Sequence, residues 1–227
     1  MNEARLGSRQ EFIDRAIDAI ERGQPLPLVP LQRSWTDGIS PQNAGSAHEY
    51  PHRGANPPIE PERRFLSVMA AMERDGLEFE IGREAFYMPG ADLVVTPPVS
   101  AFKNIVDYQA VVLHEIGHAT GAEHRLGRGC ITSPSLHAFG SEGYAREELI
   151  AEFFSVFIAM EAGIARPRDE QHAAYLKFWI VAVSDDKAEF FKAADAAAKA
   201  VDYVIGKERE MLLAREEAKA EHDMPSL

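Results

Sequence analysis

Apolar residues fall at helical spacing at the start of the chain, at Phe12, Ile13, Ala16, Ile17 and Ile20, so a helix is expected over about residues 9–22, with Gly23 as its stop. Over residues 24–60 the period disappears and Pro, Gly, Asn and Ser become frequent, which predicts an extended, loop-rich segment. Pro61 opens a second helix through Phe65, Val68, Met69 and Met72, ending at Gly76. Short apolar or β-branched runs follow at 77–81, 85–88 and 92–96, separated by Gly82, Pro89 and Gly90 and ended by Pro97. These predict a small antiparallel sheet. A long helix is expected over 104–120, a glycine-rich loop over 121–143, and further helices over 144–162, 170–184 and 186–205. Asp186 and Glu189 give the last of these a capping-box-like start. The stretch 207–222 is charged on nearly every face and predicts a solvated, fraying helix. No internal repeat is present. The expected class is α+β, mostly helical with a small sheet.

Composition narrows this picture. At 227 residues, 45% hydrophobic and 26% charged, the chain has the make-up of an ordinary globular protein. The net charge of -12 works against nonspecific nucleic-acid binding over the whole surface. The single cysteine, Cys130, allows no internal disulfide, so the fold does not depend on an oxidising compartment. The N-terminus carries no apolar segment of the secretory type, and the longest apolar runs, such as FFSVFIAM, are too short to span a bilayer. A cytoplasmic location is expected.

The chemistry concentrates in VVLHEIGHATGAEH, which contains HExxH at His114, Glu115 and His118. Two His four residues apart on a helix share one face, so both imidazoles reach one divalent metal, with zinc expected. Glu115 points beside that face, placed to take a proton from a water held by the metal. Short HExxH matches also arise by chance, as a helix with two surface His. The third ligand has two candidates. The longer pattern HExxHxxGxxH is complete here through Gly121 and His124, as in metzincins. The rival is a carboxylate from YAREELIAEFF, where Glu148 and Glu152 lie on one helical face and Glu147 is turned away by one residue. In that arrangement Glu148 binds the metal while Glu152 accepts the free N–H of a ligand His. Met160 is the nearby downstream methionine and sits inside an apolar helical run, so a Met-turn is lacking and Glu148 is favoured over His124. Tyr144 is a candidate to steady an oxyanion, against a plain packing role. His137 is a weaker candidate of the same kind. His172 and Trp179 read as packing or surface, and Cys130 as inert.

Taken with their order, HEIGHATGAEHRLGR and FGSEGYAREELIAEFFSVFIA resemble the metallopeptidase-like domain of ArdC-type antirestriction proteins. The likeness extends upstream through GREAFYMPGADLVVTPPVSAF and downstream through HAAYLKFWIVAVSDDKAEFFKAADAAAKAVDYVIG, about residues 77–206. The resemblance implies a zincin-like fold, a place on mobile elements, and His114, His118 and Glu148 as ligands of zinc or of another divalent metal such as Mn2+. It implies a domain over 58–206, preceded by a shortened segment (1–57) like the start of a single-stranded-DNA-binding domain and followed by a charged tail (207–227). Trp35, Tyr50 and a few arginines are what is left there to stack bases and bind phosphate, so weak or absent binding to single-stranded DNA is expected. The expected activity is zinc-dependent hydrolysis of a peptide or protein substrate, with Glu115 as general base. The alternative is a non-proteolytic antirestriction or DNA-associated protein whose metal is mainly structural.

Overall fold

The computed structural model describes residues 61–133, 141–164 and 187–222, with Arg15 as an isolated helical position. Apart from Arg15, the helix expected over 9–22 lies outside the described residues, as do the helix expected over 170–184, the segment 24–60, and His137, His172 and Trp179. The elements are α1 (Pro61–Arg74), β1 (Glu78–Ile81), β2 (Phe86–Met88), β3 (Leu93–Thr96), α2 (Ile105–Ala119), the short α3 (Gly129–Thr132), α4 (Glu142–Ala162) and α5 (Lys187–His222).

α4 is the central helix. It buries Leu149, Phe153, Phe154, Phe157 and Ile158 on several faces, against α2, α5 and α3. Side chains of this size contribute roughly 1.5–3 kcal/mol each when fully buried. Ser141 starts the helix by accepting from the Tyr144 backbone N–H at 3.1 Å, and Gly163 ends it with φ of 67°. Glu147 and Glu152 are buried within this apolar helix, at 3% and 4% exposure. Buried carboxylates are costly unless paired, so both demand partners from a neighbouring helix.

That neighbour is α2. Asn104 caps it, its side chain accepting from the Asp107 N–H at 2.9 Å and donating to the Asp107 carboxylate at 3.0 Å. Val112, Leu113 and Ile116 are fully buried and seat the helix on the core. A Cβ on Gly117 would lie 3.0 Å from the Ala151 Cα and from the Phe154 ring. The glycine thus lets α2 approach the backbone of α4.

The sheet is mixed, where an antiparallel one was expected. β2 and β3 form the antiparallel hairpin, Phe86 opposite Val95 and Met88 opposite Leu93. β1 pairs parallel to β3, Glu78 beside Leu93 and Ile81 beside Thr96. The order β1-β3-β2 follows from burial: β3, carrying Leu93-Val94-Val95, takes the centre. β1 lies on the far side of β3 from β2 and runs in the same direction as β3. Its exposed Glu78 and Glu80 suit an edge strand. α5 also differs from expectation. It runs unbroken past Gly206, because Glu208 pairs with Arg64 at 2.8 Å and Met211 is buried. From Arg215 onward its described side chains are exposed. No helix among the described residues is long and apolar enough to cross a membrane.

Candidate metal centre

Where α2 crosses α4, His114, His118 and Glu148 converge, with one ligand atom of each within 4.8 Å of the others. The two Nε2 atoms are 3.1 Å apart. Glu148 Oε2 lies 3.4 Å from His114 Nε2, and Glu148 Oε1 lies 3.8 Å from His118 Nε2. Donors bound at about 2.0–2.1 Å around one tetrahedral ion stand about 3.3–3.4 Å apart. The donor set therefore fits a zinc-sized ion.

The far side of each ring is also occupied. His114 Nδ1 lies 3.4 Å from Glu152 Oε2, and His118 Nδ1 lies 3.3 Å from Glu147 Oε1. Carboxylates there select the tautomer that leaves Nε2 free to bind. Ser155 Oγ donates to Glu152 Oε2 at 3.3 Å. Arg128 holds Glu147 with both oxygens engaged, Nε donating to Oε2 at 2.9 Å and Nη2 to Oε1 at 2.5 Å. Glu147, expected to turn away from the site, faces it instead. The α2–α4 crossing is close enough that residues on both sides of Glu148 reach an imidazole. The two Nδ1 atoms of an HExxH pair call for two acceptors, and that was the signal available for Glu147. Nothing in the local sequence of Arg128 marked its role.

The electrostatics favour a cation. Burial alone would lower the pKa of His114, but the carboxylates of Glu148 and Glu152 outweigh it and raise it well above the ordinary imidazole value. Burial would raise Glu148, yet contacts with His114, His118 and Tyr144 pull it down to about 2. Burial likewise works against Glu147, and His118 with Arg128 reverses the sign and holds its carboxyl below the usual range.

Glu115 is buried at 7% exposure and close enough to His114 and Tyr144 to raise the pKa of each. Tyr144 sits one turn before Glu148, with its hydroxyl against that carboxylate. Burial first, then Glu148, pushes its pKa well above that of an ordinary phenol, so it stays protonated. His124 is not in the cluster. It is largely exposed and its Nε2 lies 3.1 Å from Asp92 Oδ2. Gly121 serves a different purpose from turning His124 inward: a Cβ there would meet Ile131 Cγ1 at 2.6 Å and the Arg128 guanidinium at 2.8 Å. Cys130 is buried, and burial pushes its thiol pKa up, against nucleophilic use.

An HExxH helix crossed by a carboxylate-bearing helix is the zincin arrangement, and the chain belongs to the zincin-like metallopeptidase family, whose sequence model matches residues 67–196. Two proteins of Escherichia coli named DNA primase TraC are 43% identical over 131 residues and 38% identical over 162 residues. These matches cover 58% and 69% of this chain but 9% and 15% of the relatives. The uncharacterized protein y4eC of Sinorhizobium fredii (strain NBRC 101917 / NGR234) is 35% identical over 146 residues, 64% of this chain and 44% of that one. Among solved structures, the antirestriction protein ArdC from plasmid R388 is similar in its Mn(II)-bound form, with TM-score 0.52 and 32% identity over 73% of this chain and 58% of that chain. Its metal-free form gives TM-score 0.52 and 31% identity, over 77% and 57%. The chain thus spans only part of each relative.

Proposed function

We propose that this chain is a zinc-dependent metallopeptidase of the ArdC-like antirestriction type, in which His114, His118 and Glu148 hold the metal. The observation that carries this reading is the convergence of those three donors at ligand spacing, with a carboxylate behind each ring. Zinc is the expected ion and Mn2+ the alternative. A metal held there supplies Lewis acidity, polarising a carbonyl and acidifying water. Glu115 accepts the proton of the attacking water and returns it to the leaving amine. Tyr144, kept protonated, donates to the oxyanion that develops. An extended peptide or protein substrate would add to β2, an edge of the described sheet. β3 is paired on both sides and offers no free edge to a substrate.

The test is Glu115→Gln. Hydrolysis of a peptide pool by the zinc-loaded protein, read by mass spectrometry, is expected to fall at least about 100-fold, while zinc content and fold remain. Hydrolysis at the original rate in the variant contradicts the assignment of Glu115. A second reading is favoured by the names of the relatives, an antirestriction protein and a DNA primase: a DNA-associated protein whose metal is mainly structural. Full zinc content with no cleavage, together with submicromolar binding of a single-stranded oligonucleotide by fluorescence anisotropy, would select it. The -12 charge predicts weak binding instead.

A further inference from the structure

We infer that Arg128 is a positioning residue of the metal centre, acting on His118 through Glu147; the inference rests on the metal-centre reading above. Arg128 and Glu147 are both nearly buried, with side chains 10% and 3% exposed. A pair in that setting persists only when its geometry is well satisfied. Here the guanidinium edge takes both carboxylate oxygens, a two-point contact that fixes the plane of the carboxylate. The oxygen that receives Nη2, Oε1, is also the one 3.3 Å from His118 Nδ1. Fixing the carboxylate therefore fixes the rotation of the His118 ring and the direction of its Nε2.

The rest of the guanidinium is tied to the helix that carries His118. Nη1 donates to Thr120 Oγ1 at 2.8 Å, and Nη2 donates to the Gly117 carbonyl at 2.7 Å. One side chain thus clamps the end of α2 to the carboxylate on α4. The space for it is reserved by Gly121, where any Cβ would collide with Nη2 and Cζ. A plain helix-capping role would explain the contacts to α2 alone. It does not explain the two-point contact with the carboxylate that faces His118.

The test compares zinc dissociation constants, by competition with a chromophoric chelator, for the full chain and for Arg128→Lys, Arg128→Gln, Glu147→Gln and the double variant of the last two. Thermal unfolding of each metal-free protein is measured alongside. Arg128→Gln and Glu147→Gln are each expected to weaken zinc binding about 10–100-fold. The double variant is expected to bind no more weakly than the worse single one, because both changes break the same chain of contacts. Arg128→Lys is expected between wild type and Gln, since an ammonium cannot hold both oxygens. Losses that multiply in the double variant overturn the inference, and so does unchanged zinc affinity in a variant that merely unfolds at lower temperature. If Arg128→Gln does not fold, Arg128→Lys decides the matter: wild-type affinity there overturns the inference. A wild-type chain that binds no zinc overturns the metal-centre reading itself, and that result is visible before any variant is made.

Discussion

Each imidazole of the pair is held from behind as well as presented in front. His114 rests on Glu152, and His118 rests on Glu147, while the two Nε2 atoms face Glu148. Glu148→Ala is therefore expected to lower zinc affinity by about two orders of magnitude or more, because it removes one of three donors. His124→Ala is expected to leave affinity within about twofold, since His124 pairs with Asp92 instead. Competition titration of the two variants checks both. Equal losses would show that His124 takes part. At this scale the sequence made part of the site legible. The four-residue spacing of His114 and His118 depends only on helix geometry. The complete HExxHxxGxxH pattern pointed as well to His124, and only the three-dimensional path of the loop shows that Gly121 makes room for Arg128.

At the scale of elements, the site depends on how closely α2 crosses α4. Gly117 sits at that crossing, with the Ala151 Cα and the Phe154 ring 3.0 Å from where a Cβ would be. Gly117→Ala should push the helices apart by a few tenths of an ångström against a packed core. A loss of about 1–3 kcal/mol in denaturant-measured stability is expected, with weaker zinc binding, because Glu147 and Glu152 retreat from the rings. A gain in stability, as expected for Gly→Ala in an uncrowded helix, would contradict the tight crossing. Helix existence was readable from apolar period and caps: α1 begins at Pro61, and α2 lies between Asn104 and Thr120. The three strands were readable as runs, but their order was not. Which strand takes the centre depends on burial against α2, which no local pattern records. The helical stretch ending at His222 was readable, but its unbroken run through Gly206 was not, since Glu208 and Met211 are held by partners remote in sequence.

Across the whole molecule, a buried arginine ties the sheet to three helices. Arg125, with a fully buried side chain, donates to Asp75 at 2.9 Å, to Asp92 at 2.6 and 2.7 Å, and to the Ala119 carbonyl at 3.1 Å. Asp75 also accepts from Tyr203 at 2.8 Å and pairs with Lys207 at 3.1 Å, bringing in α5. Burial works to raise the pKa of Asp75, but Tyr203, Arg125 and Lys207 bring it below the usual value. Asp92 is lowered in the same way by Arg125 and Tyr87. Folded values depressed below the unfolded value of about 3.9 mean that this stabilisation is present at neutral pH. It is lost as pH falls below that value and through the folded pKa. The melting temperature of the metal-free chain should therefore fall steeply below about pH 4. Asp75→Asn should melt lower at pH 7 and show a shallower fall. An identical pH dependence in the variant would contradict the role given to this cluster.

The central claim is that one divalent ion sits between His114, His118 and Glu148. The most direct measurement is anomalous scattering across the zinc edge from crystals of the zinc-loaded chain. The account predicts one strong peak, about 2.0–2.2 Å from the Nε2 atoms of His114 and His118 and from a Glu148 carboxylate oxygen. A peak bonded to His124 in place of Glu148, or no peak between the two His at saturating zinc, would contradict it.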